Sequence, residues 1–340
     1  MVLAIGAVFL VNTMVVDLTV AIPTYNGARR LPEVLDQLRM AGEDKATDAS
    51  PSQSFRWEVL VVDNNSTDDT AKVIQSYQAN WPQSCPLRYC FEPKQGAAFA
   101  RRRAFEEAKG TLIGFLDDDN IPTPDWVKAA YAFAQEHPTA GAYGSRIRGD
   151  FEVMPPENFH RLTPFLAITE RGSEPSRYEP QQRVLPPSAG LVVRKQAWLE
   201  SVPQHLVLSG RTSGTWLTGE DLEMLAHIQA QGWEIWYNPA MQIAHKIPHW
   251  RLEREYLIPF FRGIGLSRHV TRMLSVHPWQ RPMATVAYMV NDLRKIAFHL
   301  LRHNVRVQSD LIAACEMQLF VSSLVSPFYL WSHGYFGRKT

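Results

Sequence analysis

Residues 111–120 have the sequence TLIGFLDDDN, an apolar run that ends in three consecutive aspartates. The run predicts a buried strand, and ligands of open parallel sheets bind beyond the carboxyl ends of such strands. Asp117, Asp118 and Asp119 would therefore lie at a ligand site. Clustered carboxylates repel one another unless a cation neutralises them, and such cations commonly bridge carboxylates to substrate phosphates. The stretch predicts an α/β sheet with Mn²⁺ or Mg²⁺ at its edge, and a solvated acidic turn is the alternative.

The chain before this stretch alternates between strand and helix patterns. Apolar, β-branched runs predict strands at 18–22, 57–62 and 87–91. Sequence patterns between them predict helices at 30–40, from 68 onward and at 97–109. Ser66 or Thr67 is predicted to cap the second helix, which would begin with Asp68 and Asp69. This alternation is typical of a Rossmann-like, mostly parallel sheet flanked by helices, so we predict the α/β class.

The pattern loosens after residue 150. The sequence predicts an irregular segment at 152–187, a Gly/Ser/Thr loop at 209–219, a helix at 220–231, and strands at 233–237 and 241–245. From residue 251 onward the chain is predicted to be helical. The apolar stretch 311–330 contains Gln318, three serines and Pro327, so we interpret it as a buried or membrane-adjacent helix rather than a membrane span. We predict three regions: an apolar extension at 1–16, an α/β domain at 17–248 and a helical appendage at 249–340.

The charge of the chain is nearly balanced, with 35 basic and 34 acidic side chains, and this excludes a nucleic-acid partner recognised by overall charge. The distribution is less even, because residues 246–306 hold eleven Lys or Arg and only three Asp or Glu. This basic C-terminal region predicts peripheral contact with anionic lipid or with a phosphorylated acceptor. A solvated helix surface is the alternative.

The three cysteines lack the spacing of metal or redox sites, which favours a reducing cytoplasmic location, either free or at the inner face of the membrane. Residues 2–16 are uncharged and largely apolar, without the basic start and cleavage site of a signal peptide. They are also shorter than the ~20 residues of a membrane span. We expect Met14 to be the native start, and a short membrane-surface anchor is the alternative.

Asp63 follows the second predicted strand, in the sequence VVDNNSTD at 61–68. A carboxylate at a strand end can accept hydrogen bonds from a nucleobase or a ribose. Asn, Ser and Asp are also ordinary turn residues, and we interpret residues 64–69 in that way.

Four segments together resemble successive blocks of glycosyltransferase family 2, which has the GT-A fold: VAIPTYN at 20–26, the Asp63 segment, residues 96–103 and Asp117–Asp119. The order and spacing agree over residues 17–245. The resemblance implies a donor-binding site that includes Pro23, Thr24, Tyr25, Asp63, Arg101 and Asp118. It further implies that Asp117 and Asp119 form a metal-binding D-x-D motif.

The segment TGED at 218–221 matches the block that supplies the catalytic base in the family. The resemblance assigns this role to Asp221 and makes Glu220 a helper that orients it or contacts the acceptor. Helix capping is the alternative for both. Some relatives use a histidine as a further metal ligand, which here would be His245. Ser188-Ala189-Gly190 resembles the family's block near the donor sugar. Three basic residues after the last predicted strand could neutralise a diphosphate or could be surface charges: Lys246, Arg251 and Arg254.

These residues predict an inverting, metal-dependent glycosyltransferase that moves a sugar from a nucleotide-diphosphate donor to a hydroxyl of a saccharide or lipid-linked saccharide. The family's commonest setting is surface polysaccharide synthesis. One alternative is a sugar-phosphate nucleotidyltransferase, which would carry a Gly-rich phosphate loop after its first strand, whereas residues 23–27 contain one glycine. The other is an inactive carbohydrate-binding scaffold. The sequence leaves the donor, acceptor and linkage open.

Overall fold

The computed structural model describes residues 16–43, 55–182, 184–208, 210 and 217–335. The predicted N-terminal extension, apart from Val16, lies outside this range, as does the proposed start at Met14. Most of the loop expected at 209–219 also lies outside it.

The first four strands form the parallel half of the sheet. They are β1 (Leu18–Thr24), β2 (Trp57–Asp63), β3 (Leu87–Phe91) and β4 (Leu112–Phe115). β1 lies between β2 and β4, with Leu18 in register with both Trp57 and Leu112. All residues of β2 are buried, as expected for a strand covered on both faces. Because these strands run in one direction, their carboxyl ends meet at one edge.

Helices cover both faces of this sheet. They are α1 (Leu31–Glu43), α2 (Thr70–Gln78), α3 (Ala97–Glu107), α4 (Trp126–Glu136), α5 (Lys195–Ser201) and α6 (Glu220–Ala230). Alternate residues of β1 point to opposite faces, so Val20 and Ile22 join a core with α1 and α4. Ala21 joins a second core with α3 and α6.

The predicted start of α2 was wrong, because the helix begins at Thr70 rather than at Asp68. The Asp68 carboxylate accepts hydrogen bonds from the backbone N–H of Thr70 and of Ala28. Ser66 Oγ accepts from the N–H of Asn26 at 2.9 Å. These polar residues therefore tie the turn after β2 to the loop after β1, and they do not cap the helix.

The second half of the sheet is mixed. It contains β5 (Asn120–Pro122), β6 (Ala140–Phe151), β7 (Ser176–Arg177), β8 (Leu191–Arg194) and β9 (Glu234–Ile247). β8 is antiparallel to both β4 and β6, whereas β9 is parallel to β6 and antiparallel to β5. The strand order is β3-β2-β1-β4-β8-β6-β9-β5, with β7 beside β9. The two strands predicted at 233–237 and 241–245 are one long strand, β9.

Three long helices follow: α7 (Arg254–Leu274), α8 (Arg281–His303) and α9 (Leu311–Ser332). α7 and α9 pack closely through small residues. An added Cβ at Gly265 would lie 2.5 Å from Ser322 Cβ, and Ser326 Oγ donates a 2.5 Å hydrogen bond to the Leu266 carbonyl. A shared cluster joins these helices to the α/β region, with Leu162 and Ile247 packing among residues of α7 and α9.

Within the described part of the chain, α9 is the one helix whose length and composition would allow it to cross a membrane. Of its most apolar window, 44% is buried inside the protein. Packing against α7 therefore accounts for much of its apolar character.

Candidate active site

A cleft of about 1320 Å³ opens at the carboxyl ends of β1 and β4 and continues toward α7 and α8. Ten of the eleven predicted site residues line it. They are Pro23, Thr24, Tyr25, Arg101, Asp117, Asp118, Asp119, Glu220, Asp221 and His245. The sheet edge thus brings together side chains that are more than 200 positions apart in sequence.

Asp63 is the predicted residue that is not among those lining the cleft. It is 3% exposed, and its Oδ1 accepts from the N–H of Ser66 at 2.9 Å. Its Oδ2 accepts from the Tyr89 hydroxyl at 3.0 Å. Burial, followed by this hydrogen bond, raises the pKa of Tyr89 to about 12. The observed contacts of Asp63 are structural, and its contact with a nucleobase stays a prediction.

Asn64, which the sequence led us to interpret as a turn residue, lines the cleft instead. Its amide Nδ2 donates to the carbonyls of Glu92 and Lys94, and its Oδ1 accepts from the N–H of Gly96. Asn64 therefore positions the start of α3, the helix that carries Arg101.

Asp118 anchors the loop that follows β1. Thr24 Oγ1 donates to its Oδ2 at 2.5 Å, and Arg30 forms a two-point pair with it, at 2.7 Å from Nε and 2.9 Å from Nη2. The hydrogen bond to Asp118 raises the pKa of Arg30. An added Cβ at Gly27 would lie 2.0 Å from Thr24 Oγ1, so only glycine fits there. Arg30 was missed by the sequence analysis, although it follows the VAIPTYN block by four residues.

Asp119 lies next to His245 because β5 pairs with β9 in a register that sets Asn120 opposite His245. The distance from Asp119 Oδ1 to His245 Nε2 is 3.8 Å, and Arg251 Nη2 donates to Asp119 Oδ2 at 2.8 Å. Burial would raise the pKa of Asp119. The positive charges of Arg251 and Arg30 outweigh burial and lower it. Asp119 is therefore held as a carboxylate.

The tautomer of His245 follows from its neighbours. Its Nδ1 lies 2.9 Å from the Leu166 carbonyl, which can only accept, so the hydrogen is assigned to Nδ1. The lone pair of Nε2 then faces Asp119 and Arg251. Histidines that ligate metals typically donate their other ring N–H to a carbonyl or carboxylate in this way.

Asp117 is more open, with 40% of its side chain exposed to the cleft. Partial desolvation by the cleft walls raises the pKa of Asp117 above its usual value, and the carboxylates of Asp119 and Asp118 add to the effect while Arg101 opposes it. Two carboxylates and one imidazole nitrogen are a ligand set that suits Mn²⁺, and oxygen ligands also suit Mg²⁺. Asp117, Asp119 and His245 therefore fit a divalent cation chemically.

Arg101 connects this cluster with the start of α6. Its guanidinium pairs with Glu220, donates to Ser188 Oγ at 2.7 Å and lies 3.7 Å from Asp117. Burial would lower its pKa, but the charges of Glu220, Asp117 and Asp221 outweigh burial and raise it. One fixed cation thus lies between the carboxylate cluster and the predicted base.

The three acidic residues in the first turn of α6 have different surroundings. Glu220 pairs with Arg101, and Glu223 accepts from the N–H groups of Val207 and Leu208, both at 2.8 Å. Asp221 accepts from the N–H groups of Ser188 and Leu222, at 2.9 and 2.8 Å. Among the described residues Asp221 has no salt-bridge partner. Its carboxylate is held in place without being neutralised, which suits a base.

The family model described as glycosyl transferase family 2 matches residues 19–197, more than half of the 340-residue chain. The chain belongs to this family. This confirms the family expected from the sequence blocks at 20–26, 63, 96–103 and 117–119.

Relatives of this family 2 chain include proteins named for lipid phosphates. It is 24% identical over 190 residues to the glucosyl-dolichyl phosphate glucuronosyltransferase of Haloferax volcanii, covering 55% of this chain and 59% of that protein. It is 31% identical over 108 residues to a dolichyl-phosphate beta-glucosyltransferase of Trichomonas vaginalis, covering 32% of this chain and 30% of that protein. The chain therefore matches less than two thirds of the length of either relative.

A solved structure of the mannosyltransferase PcManGT from Pyrobaculum calidifontis, in complex with GDP-Man and Mn²⁺, resembles this family 2 chain. The two are 19% identical, with a TM-score of 0.51 and coverage of 92% of this chain and 87% of that one. The likeness confirms the α/β fold of GT-A type.

The basic residues near β9 divide between the site and the surface of this family 2 protein. Arg251 belongs to the site, through Asp119 and His245. Lys246 pairs with Glu33 and Asp150 outside the cleft, both at 2.9 Å. The sequence offered no means of separating the two, because both follow the strand predicted at 241–245.

Proposed function

We propose that this chain catalyses the inverting transfer of a sugar from a nucleotide-diphosphate donor to a hydroxyl acceptor, in surface polysaccharide synthesis. One observation carries the proposal: Arg101 contacts both Asp117 and Glu220, so the carboxylate cluster and Asp221 share one cleft. Charge stabilisation of a leaving diphosphate and proton removal from an acceptor both require that proximity.

The donor's nucleobase fits the loop after β1. Pro23, Thr24 and Tyr25 line the cleft there, and the Tyr25 side chain is 45% exposed, leaving an aromatic face for stacking. The hydrogen bond from Thr24 to Asp118 fixes this loop before the donor binds. Rigidity of this kind lowers the ordering cost of binding.

Asp117, Asp119 and His245 would hold Mn²⁺ or Mg²⁺. Such an ion supplies charge stabilisation to the leaving diphosphate, of the order of several kcal/mol. Arg251 and Arg101 add fixed positive charge beside the same position.

Asp221 is the proposed base. The acceptor oxygen attacks the anomeric carbon from the face opposite the diphosphate and gives its proton to the Asp221 carboxylate. The carbon–oxygen bond to the diphosphate breaks with inversion. The Ser188 and Leu222 N–H groups hold the two carboxylate oxygens while leaving further lone pairs for the acceptor. General-base assistance of this kind contributes about 10²–10⁴-fold in rate.

We also propose peripheral attachment to the inner face of the membrane through α8 and α9, and a lipid-linked saccharide as acceptor. One side of α8 exposes Met283, Val286, Val290, Leu293 and Leu301, and one side of α9 exposes Val321, Val325, Phe328 and Trp331. Arg281, Arg294 and Arg302 are also exposed on α8. An apolar face with basic residues beside it is typical of helices that lie in the surface of an anionic bilayer.

The experiment that tests the proposed reaction is a thermal-unfolding screen of UDP-, GDP- and dTDP-sugars with and without Mn²⁺. One nucleotide class should raise the unfolding temperature in the presence of Mn²⁺, and radiolabelled sugar should then pass from that donor to a membrane-extract acceptor. No stabilisation by any nucleotide sugar at millimolar concentration would contradict the proposal. Release of pyrophosphate from a nucleoside triphosphate and a sugar phosphate would replace it with nucleotidyl transfer.

A further inference from the structure

The cleft does not end at the predicted catalytic residues. It continues between α7 and α8, where Arg268, Arg272, Tyr288, Asn291 and Lys295 line it. None of these residues has a part in donor binding or proton transfer as proposed above. We call this end of the cleft, defined by those five residues, the α7–α8 groove.

The α7–α8 groove carries uncompensated positive charge. Arg272 forms a two-point pair with Asp292, at 2.6 and 2.8 Å, and Asp292 is fully buried, so this pair is neutral. Among the described residues, Arg268 and Lys295 have no carboxylate within salt-bridge distance. The Arg268 guanidinium lies 5.9 Å from the Phe165 ring and the Lys295 ammonium 5.7 Å from the Phe320 ring. Arg268 and Lys295 thus share a groove next to Asp292, whose carboxylate is already paired with Arg272.

Their environment makes this arrangement costly without a partner. Burial, with help from the charge of Arg272, lowers the pKa of Arg268 to about 10. Burial, followed by the charge of Arg268, lowers the pKa of Lys295. Desolvated like charges destabilise a fold unless an anion compensates them. A bound anion would supply that compensation.

We propose that the α7–α8 groove binds the phosphate or diphosphate group of the acceptor, so that the acceptor is a saccharide linked to a phosphorylated carrier. This inference rests on the proposed transfer reaction for its meaning, although the binding itself does not require turnover. The groove is continuous with the pocket of Asp221, and apolar side chains of Phe260, Ile264 and Leu274 line the cleft nearby. Phosphate next to apolar surface is the chemistry of a lipid carrier.

The position of α8 agrees with a lipid carrier. Asp292 and His299 are buried on the inner side of α8, whereas Met283 and Val290 are exposed on the other side. The apolar face proposed to meet the bilayer and the cationic groove are thus two faces of one helix. A carrier whose hydrocarbon stays in the bilayer would have a short path to the groove.

The test measures anion binding to the full chain by calorimetry, with inorganic pyrophosphate as the probe and EDTA present. Without metal, the carboxylates of Asp117 and Asp119 repel the anion, so the groove dominates the signal. We expect Arg268→Gln with Lys295→Gln to weaken pyrophosphate binding at least tenfold. Arg262→Gln, which removes an exposed cation of the same helix α7, should bind as the wild type does. Arg272 is left intact because buried Asp292 depends on it.

A second arm separates two sources of the phosphate. If farnesyl diphosphate binds the wild type more tightly than pyrophosphate, the acceptor is lipid-linked. Equal affinities indicate a soluble phosphorylated saccharide. Either result supports the anion site, provided that the double variant binds both probes more weakly than the wild type does. Unchanged binding of both probes by a folded double variant would overturn the proposal, whatever the nucleotide-sugar screen shows.

The wild-type protein provides a further measurement that does not depend on the folding of a variant. Acetylation of lysines, followed by mass spectrometry, should show that pyrophosphate protects Lys295 while exposed Lys109 reacts as before. Equal labelling of Lys295 with and without pyrophosphate would count against the site.

Discussion

Arg251 donates a hydrogen bond of 3.0 Å to Nε2 of His245, the ring atom that its tautomer leaves free to accept. The other guanidinium nitrogen, Nη2, donates to Asp119 at 2.8 Å. A side-chain cation therefore contacts two of the three groups that are suited to a metal ion. A divalent cation held by Asp119 and His245 would replace these contacts of the guanidinium, which would then be available to a diphosphate in the cleft.

From this relationship we predict that Arg251 binds the diphosphate of the donor. We expect Arg251→Gln to weaken binding of the nucleotide sugar selected by the screen by about 10- to 100-fold, because hydrogen bonds to charged groups contribute about 1.5–3 kcal/mol. Calorimetry in the presence of Mn²⁺ measures the change. Arg254→Gln removes an exposed arginine three residues later and serves as the control. Equal losses in the two variants would contradict the assignment.

The carboxylate of Asp119 is expected to determine whether metal supports donor binding. Asp119→Ala should abolish the Mn²⁺-dependent rise in unfolding temperature with the nucleotide sugar, and EDTA should produce the same loss reversibly in the wild type. Asp150→Ala, which removes a surface partner of Lys246, should keep the response. A donor that binds the Asp119→Ala variant normally with Mn²⁺ present would exclude a role in metal binding.

Proton removal by Asp221 is testable with an isosteric variant. Asp221→Asn can still accept a backbone hydrogen bond but is a far weaker base, so kcat should fall about 10²–10⁴-fold with donor affinity nearly unchanged. Asp69→Asn, on the exposed pair with Lys72, is the control. Steady-state kinetics with donor binding measured separately would distinguish this from a collapsed site, in which both quantities fail together.

Local pattern was sufficient for the parallel half of the sheet, and ten of the eleven residues predicted for the site line one cleft. Strand β3 has the predicted bounds at 87–91, and the acidic run at 117–119 lies at a strand end, because both depend on short-range apolar patterning. The beginning of α2 was wrong because Asp68 and Ser66 form hydrogen bonds to residues about 40 positions away. Hydrogen bonds over such a sequence distance cannot be predicted from the periodicity of apolar residues.

The arginines of the site likewise depend on long-range contacts that the local sequence pattern does not show. Arg30 and Arg268 look like ordinary surface charges in the sequence, and Arg251 could be assigned there either to a diphosphate or to the surface, yet all three line the cleft. Their roles depend on long-range pairing, such as the β5–β9 register that brings Asn120 opposite His245. The motifs predict the acids and Arg101, whereas the fold is needed to find Arg30 and Arg268 and to assign Arg251 to the cleft.

The close packing of α7 against α9 predicts a stability effect at Gly265. Gly265→Ala would place Cβ 2.5 Å from Ser322 Cβ and 2.8 Å from the Leu319 carbonyl oxygen, so the helices must separate. We expect a loss of about 1–3 kcal/mol in the free energy of unfolding, measured by urea denaturation. Ser322→Gly removes the nearest atom, so the double variant should lose less than the sum of the single losses. Strict additivity would show that the two positions do not meet.

The exposed apolar face of α8 predicts membrane binding that two acidic substitutions on this face would weaken. Val286 and Val290, 62% and 60% exposed, lie one turn apart on that face. Val286→Glu with Val290→Glu should reduce sedimentation with phosphatidylcholine vesicles containing phosphatidylglycerol at least tenfold, because each acid adds desolvation cost and repels anionic headgroups. Leu199→Glu, which changes an exposed residue of α5, should sediment as the wild type does. Because neither valine touches the cleft, donor binding should be unchanged in all three proteins. Loss of donor binding together with vesicle binding would point to misfolding of the helical region, and full vesicle binding by the double variant would exclude α8 as the attachment surface.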